Sequence, residues 1–401
     1  MNEILSVGVI LLCALAAGHL AQVVRLPEVT GYLLIGAAIG PAGLDLVSQD
    51  DRQTLQFLSE VALGLILFSI GLVFEASAVR RIGRQAAMVT VAEAGGAFVA
   101  VTLTALYFGA PGPAALLMGT IAMETAPATT LMVLREYDAR GALTDVLTTL
   151  LALNNMLVLV TFGIVTAILT MMQQPPEGFF ALAYASLYSL VWGVVGSLAW
   201  GAILGVALQN WSRRARESGE AMILGIGMVL VAVGGARWME LSPLFVTLAM
   251  GATMVNGTNR SDEFREAIGK ADPPLYAAFF VLAGAELQPS VLATLGMLGF
   301  GYALARSLGK IVGARLAAER IGLPPVLKRY LGICLLSSSS LAIGLTIQVR
   351  DQFPDYAGLV TGVVLASVIV FEVLGPLATR LALVRAGEAT VVPKSPFTAE
   401  A

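Results

Sequence analysis

Apolar positions along the chain do not alternate with polar ones. They run in long blocks, each closed by a short polar link. Thirteen such blocks are legible, at 4–24, 29–47, 55–76, 85–109, 112–134, 143–172, 179–208, 219–237, 242–256, 272–287, 289–314, 326–349 and 358–383. A helix rises about 1.5 Å per residue, so about 20 apolar residues cross a bilayer. The pattern therefore predicts thirteen membrane-spanning helices and an all-α membrane protein. Two blocks, 242–256 and 272–287, are short for a span and must thin the bilayer, break, or lie within the bundle.

Composition sharpens the class. Of 401 residues, 57% are hydrophobic and 13% charged, with a mean hydropathy of +0.83. Soluble domains carry about 25% charged residues. A chain this apolar would expose more hydrophobic surface than water tolerates, which excludes a soluble enzyme, a nucleic-acid binder and a disordered scaffold. Cys13 and Cys334 both fall in apolar blocks and have no partner spacing for a disulfide framework or a metal site. The first block lacks a basic leader and a small-residue cleavage site, so it is expected to be a retained span.

Lys and Arg set the orientation. Nineteen of the 24 fall in or beside the odd-numbered links and the C-terminal tail; Arg52, Arg237 and Arg350 lie on the other side. By the positive-inside rule the C-terminus is cytoplasmic. Thirteen spans then put the N-terminus outside, in a multi-pass protein of the cell's inner (plasma) membrane.

Two stretches echo each other. Pro27–Gly36 is similar to Pro243–Gly251, and Leu67–Gly71 is similar to Phe280–Gly284. Span 2 thus matches span 9, and span 3 matches span 10. A shift of seven spans reverses direction in the membrane, so the repeat is inverted. Such repeats mark alternating-access transporters, with the site near the midplane where corresponding helices are interrupted. Span 5 holds Met123-Glu-Thr-Ala-Pro-Ala-Thr-Thr130, and its partner, span 12, holds Leu336-Ser-Ser-Ser-Ser-Leu341. Pro127 removes an N–H and clashes with the preceding turn. Hydroxyls at Thr125, Thr129, Ser337, Ser338, Ser339 and Ser340 can satisfy the freed backbone groups. Half-helices meeting there would turn carbonyl ends toward a cation. A kinked packing helix is the plainer alternative for either span alone.

Intramembrane charge costs about 2.5–3.5 kcal/mol or more per group and marks a functional site by default. Glu124 lies beside the break in span 5. Arg306 and Lys310 share one face of span 11, four residues apart. Glu93 lies within span 4 and Glu372 within span 13. Glu124 with Arg306 or Lys310 is the expected pair, and a static ion pair is the alternative for each acid. Glu60 and Glu286 lie nearer span ends and are expected to be wet. Asn154 and Asn155 put two amides in span 6, which offer oxygens but cannot ionise. His19, the only histidine, reads as a packing or interfacial residue.

Taken together, these strings resemble the bacterial monovalent cation:proton antiporters of the sodium/hydrogen exchanger family, with the NhaA-like fold. The resemblance runs through Arg25–Gly36 with Gly40-Pro41, Phe57–Gly71, Thr125–Glu136, Arg306-x-x-Gly309-Lys310-x-x-Gly313-Ala314, and the closing Glu372–Glu388. It implies crossed, broken spans 5 and 12 within a core of residues 85–172 and 289–383. Residues 1–76 and 179–287 would supply scaffold, linker and homodimer contacts, and 384–401 a short cytoplasmic tail. The implied partners are a monovalent cation (Na+ or K+), a proton and the lipid bilayer, with no cofactor, nucleic acid or metal beyond the transported ion. It also exposes a departure. Family members carry Asp-Asp or Asn-Asp in span 6, and the second Asp binds cation and proton in turn. Here that pair is Asn154-Asn155, so Glu124 is expected to take the role. A same-fold carrier of another solute and a non-transporting membrane sensor or subunit stay open beside the exchanger.

Overall fold

The computed structural model describes residues 3–24, 26–47, 49–72, 76–173, 192–213, 218–257, 261–286, 296–338 and 340–389. Among these the chain is helical, with no strand. In order, the helices are α1 (Glu3–Val23), α2 (Glu28–Ile39), α3 (Gln49–Gly71), α4 (Ala76–Tyr107), α5 (Gly112–Ala122), α6 (Pro127–Glu136), α7 (Ala142–Gln173) and α8 (Ser197–Ser212). They continue with α9 (Ser218–Trp238), α10 (Pro243–Gly257), α11 (Ser261–Glu286), α12 (Gly296–Ile321), α13 (Pro325–Tyr330), α14 (Ser340–Gln352) and α15 (Pro354–Ala386). Each of the thirteen apolar blocks contains helix. Seven described helical stretches are long and apolar enough to cross a membrane by length and composition, and shorter apolar helices accompany them.

Prolines place several helix starts. Pro127, Pro325 and Pro354 stand at the first turns of α6, α13 and α15, where the missing N–H is harmless and the fixed φ suits the helix. Gly387 ends α15 with φ +73°, a left-handed cap that costs glycine little.

Element ends depart from the apolar blocks in informative places. The block at 272–287 is the end of a longer helix, the 26-residue α11, which begins at Ser261 and runs through Pro273 and Pro274. The polar stretch before it is rich in Glu, Arg, Ala and Lys, which favour helix whether or not they are apolar. Likewise α4 starts at Ala76, at the end of the preceding apolar block, and runs through the expected link, and α12 continues to Ile321. Of the block 179–208, residues 179–191 lie outside the described residues.

Packing is closest where glycines meet. At the α4–α12 contact, a Cβ on Gly96 would stand 2.5 Å from the carbonyl oxygen of Gly309, and one on Gly309 would stand 2.5 Å from that of Gly96. Only glycine admits this approach. In the other half of the molecule α2 packs on α11 and α3 on α10. A Cβ on Gly36 would be 2.9 Å from Cα of Gly284, and a Cβ on Gly71 would be 2.9 Å from Cα of Gly251.

One buried apolar cluster unites α4, α5, α7, α12, α14 and α15, through Val101, Met118, Phe162 and Val364 among others. A second unites α3, α8, α9, α10 and α11, around Phe68, Met250 and Phe264. A third joins the two groups, with Tyr32, Tyr137, Phe280 and Leu331 in it. The far ends of the first group are tied by Glu388. Its carboxylate accepts the backbone N–H groups of Leu143 (2.7 Å) and Thr144 (2.9 Å) and the Thr144 hydroxyl (3.0 Å), capping α7.

Candidate functional site

Two interrupted helices meet inside the first group. The stretch 112–136 breaks after Ala122 and resumes at Pro127; the stretch 325–352 breaks into α13, a single 3-10 turn at Ile333–Leu335, and α14. Ala126 is extended at the first break, and the two breaks are joined directly: Ala126 N–H donates to the carbonyl of Ser337 at 3.1 Å. Thr125 supplies the next bond, its hydroxyl donating to Leu335 O at 3.2 Å. The Thr130 and Ser337 hydroxyls lie 3.4 Å apart.

A helix that stops inside protein leaves carbonyls unsatisfied and a partial negative charge at its end. The two buried cations of α12, Arg306 and Lys310, go to those carbonyls. Arg306 donates from Nη1 to Leu336 O at 2.7 Å, and from Nη2 to Glu124 O at 2.7 Å and Ser337 O at 3.1 Å. Its guanidinium bridges both breaks and lies 4.4 Å over the ring of Phe371 on α15. Lys310 donates from Nζ to Met123 O at 2.7 Å, to Thr125 Oγ1 at 2.7 Å and to Glu93 Oε2 at 2.8 Å. The helix period puts both residues on one face of α12, as their spacing predicts.

Of the two partners expected for Glu124, Arg306 is the one beside it, and Lys310 goes to another acid. Lys310 pairs with Glu93 of α4, both side chains fully buried. Arg306 stands 4.0 Å from Glu124 Oε2, a looser contact than its three carbonyl bonds, and Ser338 Oγ donates to the same carboxylate oxygen at 3.1 Å. Asn154 completes the network: Nδ2 donates to Glu93 Oε1 (2.6 Å) and Met123 O (2.9 Å), and Oδ1 accepts Thr125 N–H (3.0 Å). Glu93, which has no motif around it in the sequence, is thus bound to both Lys310 and Asn154. The local sequence could not disclose this, because the contact spans 217 residues.

Asn155 faces elsewhere. It is 6% exposed, and its Oδ1 has no hydrogen-bond partner. It lines two small cavities with Pro127; Thr129 and Glu372 line the larger of them. The structure therefore brings Glu93, Glu124, Thr125, Asn154, Arg306, Lys310, Ser337 and Ser338 into one network, and sets Asn155, Thr129 and Glu372 around an adjacent space. Ser339 lies outside the described residues. Ser340 opens α14.

Sequence reasoning missed a second buried acid pair where α2 meets α6. Glu28 N–H donates to both carboxylate oxygens of Glu136, at 3.0 and 2.9 Å, and Tyr32 donates to Glu28 Oε2 at 2.8 Å. Beside it Arg135 donates to the hydroxyl of Tyr276 on α11 at 2.6 Å. Both acids lie in predicted links, where a wet carboxylate is the default. His19 lies 2.9 Å from Leu15 O in an exposed position. Glu60 is ion-paired with Arg237 in partly exposed surroundings. No group of three or more His, Cys, Asp or Glu able to hold a metal occurs among the described residues.

Comparison with known proteins agrees with this architecture. The chain is 19% identical to the sodium proton antiporter MjNhaP1 from Methanocaldococcus jannaschii, with a TM-score of 0.70 and 96% of each chain covered. It is 25% identical over 316 residues to YbaL of Escherichia coli (strain K12), covering 74% of this chain and 55% of YbaL. It is 24% identical over 263 residues to the high-affinity Na+/H+ antiporter NhaS3 of Synechocystis, covering 65% of this chain and 56% of NhaS3. It is 24% identical over 291 residues to the ammonium/H+ antiporter subunit AmhT of Alkalihalophilus pseudofirmus, covering 71% of each. The matches thus span a little over half the length of YbaL and NhaS3. The profile of the family described as sodium/hydrogen exchanger, transmembrane, matches residues 7–381, and the chain belongs to that family of membrane exchangers.

Proposed function

We propose that the protein is a secondary active antiporter exchanging a monovalent cation for a proton by alternating access. The observation that carries this reading is the buried crossing itself. Two interrupted helices are bonded through Ala126 and Ser337, and their carbonyl ends are neutralised from within by Arg306 and Lys310. Such crossings place a polar site at mid-membrane without exposing backbone to lipid.

In this reading α4–α7 and α12–α15 form a core that moves against a scaffold of α1–α3 and α8–α11, and the scaffold pairs two copies. The reciprocal contacts Gly36–Gly284 and Gly71–Gly251 support an inverted repeat. The echo in sequence equates Gly36 with Gly251 and Gly71 with Gly284, so a two-fold relation exchanges one contact for the other. The basic links support a cytoplasmic C-terminus in a plasma-membrane protein.

Exchange needs a carboxylate that a proton and a cation occupy in turn, because both seek the same oxygens. Glu93, Glu124 and Glu372 are the buried acids at or beside the crossing. The first two face fixed cations. Na+, K+ and ammonium are the cations to test, the last because of the name of AmhT. The experiment is proton flux into proteoliposomes holding the purified chain and a pH-sensitive dye, with each cation gradient imposed in turn. Cation-driven proton movement is expected; its absence with all three would reject the antiporter reading.

A further inference from the structure

The crossing network leaves a polar space outside it. Asn155 follows Asn154 on α7, so it projects about 100° further round the helix. It lines a cavity of about 40 Å³ together with Thr129, at the start of α6, and Glu372 of α15. A second cavity of about 20 Å³ adjoins Asn155 and Pro127. One water needs about 10–15 Å³ measured this way, so the larger space holds a small ion or a few waters. The rest of its wall is apolar, and part of it comes from the other helix group, including Leu244 of α10 with Phe279 and Phe280 of α11. The space therefore lies on the surface between the two groups, where a site open alternately to either side has to be.

We propose that the transported monovalent cation sits in this cavity between the Glu372 carboxylate and the Asn155 amide oxygen, with the Thr129 hydroxyl as a third oxygen. Glu372 takes up the proton when the cation leaves and releases it when the cation returns. This deepens the antiporter reading and rests on it. Three observations carry it. A buried amide oxygen without a donor is costly to leave unpaired, and Asn155 Oδ1 is such an atom; a bound cation would satisfy it. Carboxylate, amide and hydroxyl oxygens are the donor set that hard cations take. Glu93 already holds Lys310 at 2.8 Å, and Glu124 already holds Ser338 beside Arg306, so an added cation at either would meet a fixed positive charge. The first turn of α6 also borders the cavity. The family's missing aspartate would thus be replaced from across the cavity, on the last helix, and not on the helix that lost it.

The test uses the full chain in lipid nanodiscs. Thermal stability is read as NaCl or KCl replaces N-methyl-D-glucamine chloride at constant ionic strength, with proton flux in proteoliposomes alongside. Wild type is expected to be stabilised by at least one of the two cations. Glu372→Gln is expected to abolish that response or raise its half-saturating concentration at least tenfold, and to remove the pH dependence of half-saturation. A half-saturation within twofold of wild type in E372Q overturns the assignment, while wild-type flux keeps antiport standing. Wild type without cation-driven proton movement overturns antiport itself. Should E372Q fail to fold, Asn155→Asp serves instead. A second carboxylate on the cavity is expected to shift half-saturation at least tenfold, and an unchanged value overturns the proposal.

Discussion

Lys310 and Glu93 meet across the α4–α12 contact, Nζ to Oε2 at 2.8 Å, with neither side chain exposed to solvent. Breaking a buried pair by removing one partner typically costs about 3–5 kcal/mol, because the survivor keeps an uncompensated charge. Lys310→Met is therefore expected to destabilise the protein by about that amount, and adding Glu93→Gln to it should recover most of the loss. Unfolding of the single and double variants in detergent, read as a double-mutant cycle, checks this. Additive losses would mean that the two groups do not act as a pair.

Arg306→Lys is not a conservative change here. The guanidinium reaches Leu336 O, Glu124 O and Ser337 O at once, a fork that a single ammonium cannot reproduce. Hydrogen bonds from charged groups contribute about 1.5–3 kcal/mol each. Losing at least one of them should lower the unfolding midpoint and cut cation flux severalfold. Flux assays on material matched for folded protein separate the two effects.

Neighbouring glycines of α4 should respond oppositely to the same substitution. Gly96→Ala puts a methyl 2.5 Å from the Gly309 carbonyl, whereas a Cβ on Gly95 meets nothing within 4 Å. Overpacking costs about 1–3 kcal/mol, while Ala is favoured over Gly within a helix by up to about 1 kcal/mol. G96A should lower the melting temperature and G95A should leave it unchanged or raise it.

Glu388 caps a helix far from it in sequence. Replacing it with Ala removes three acceptor bonds at the start of α7, and losing an N-cap typically costs about 0.5–2 kcal/mol. Glu388→Ala should therefore unfold earlier than wild type by that margin. Faster hydrogen exchange confined to the first turn of α7 is the specific mark of a lost cap.

Proton and cation competition predicts its own pH profile. If one carboxylate serves both, each unit fall in pH below that group's pKa raises the half-saturating cation concentration about tenfold and leaves the maximal rate unchanged. Initial rates over a range of pH and cation concentration decide it; a maximal rate that falls at constant half-saturation would mean separate sites.

How much of this was legible in the sequence depends on the distance over which each feature acts. The breaks at Pro127 and Ser337 are local, since proline chemistry and a run of hydroxyls disclose them wherever the chain goes. The shared face of Arg306 and Lys310 follows from the helix period alone. Family strings predicted the crossing that Ala126 and Ser337 make. The partner of Lys310 was not legible, because Glu93 is distant in sequence and sits in an unremarkable apolar run. Nor was the outward turn of Asn155, which depends on how α7 is rotated against α6. The start of α11 was misjudged for a different reason: apolar length marks where a membrane would be, and helix propensity does not stop there. The roles of Glu28 and Glu136 were hidden because a carboxylate in a short link is normally wet.

The charges at the crossing have one more consequence. Glu93 with Lys310 and Glu124 with Arg306 are two acids and two bases, so these four buried groups cancel, and in the proposed exchange the charge that changes at the crossing is that of Glu372. Loaded with a proton or with one monovalent ion, the Glu372 site would be equally neutral. Under that proposal a one-for-one exchange moves no net charge, so membrane voltage would not bias it and the two concentration gradients alone would set its direction.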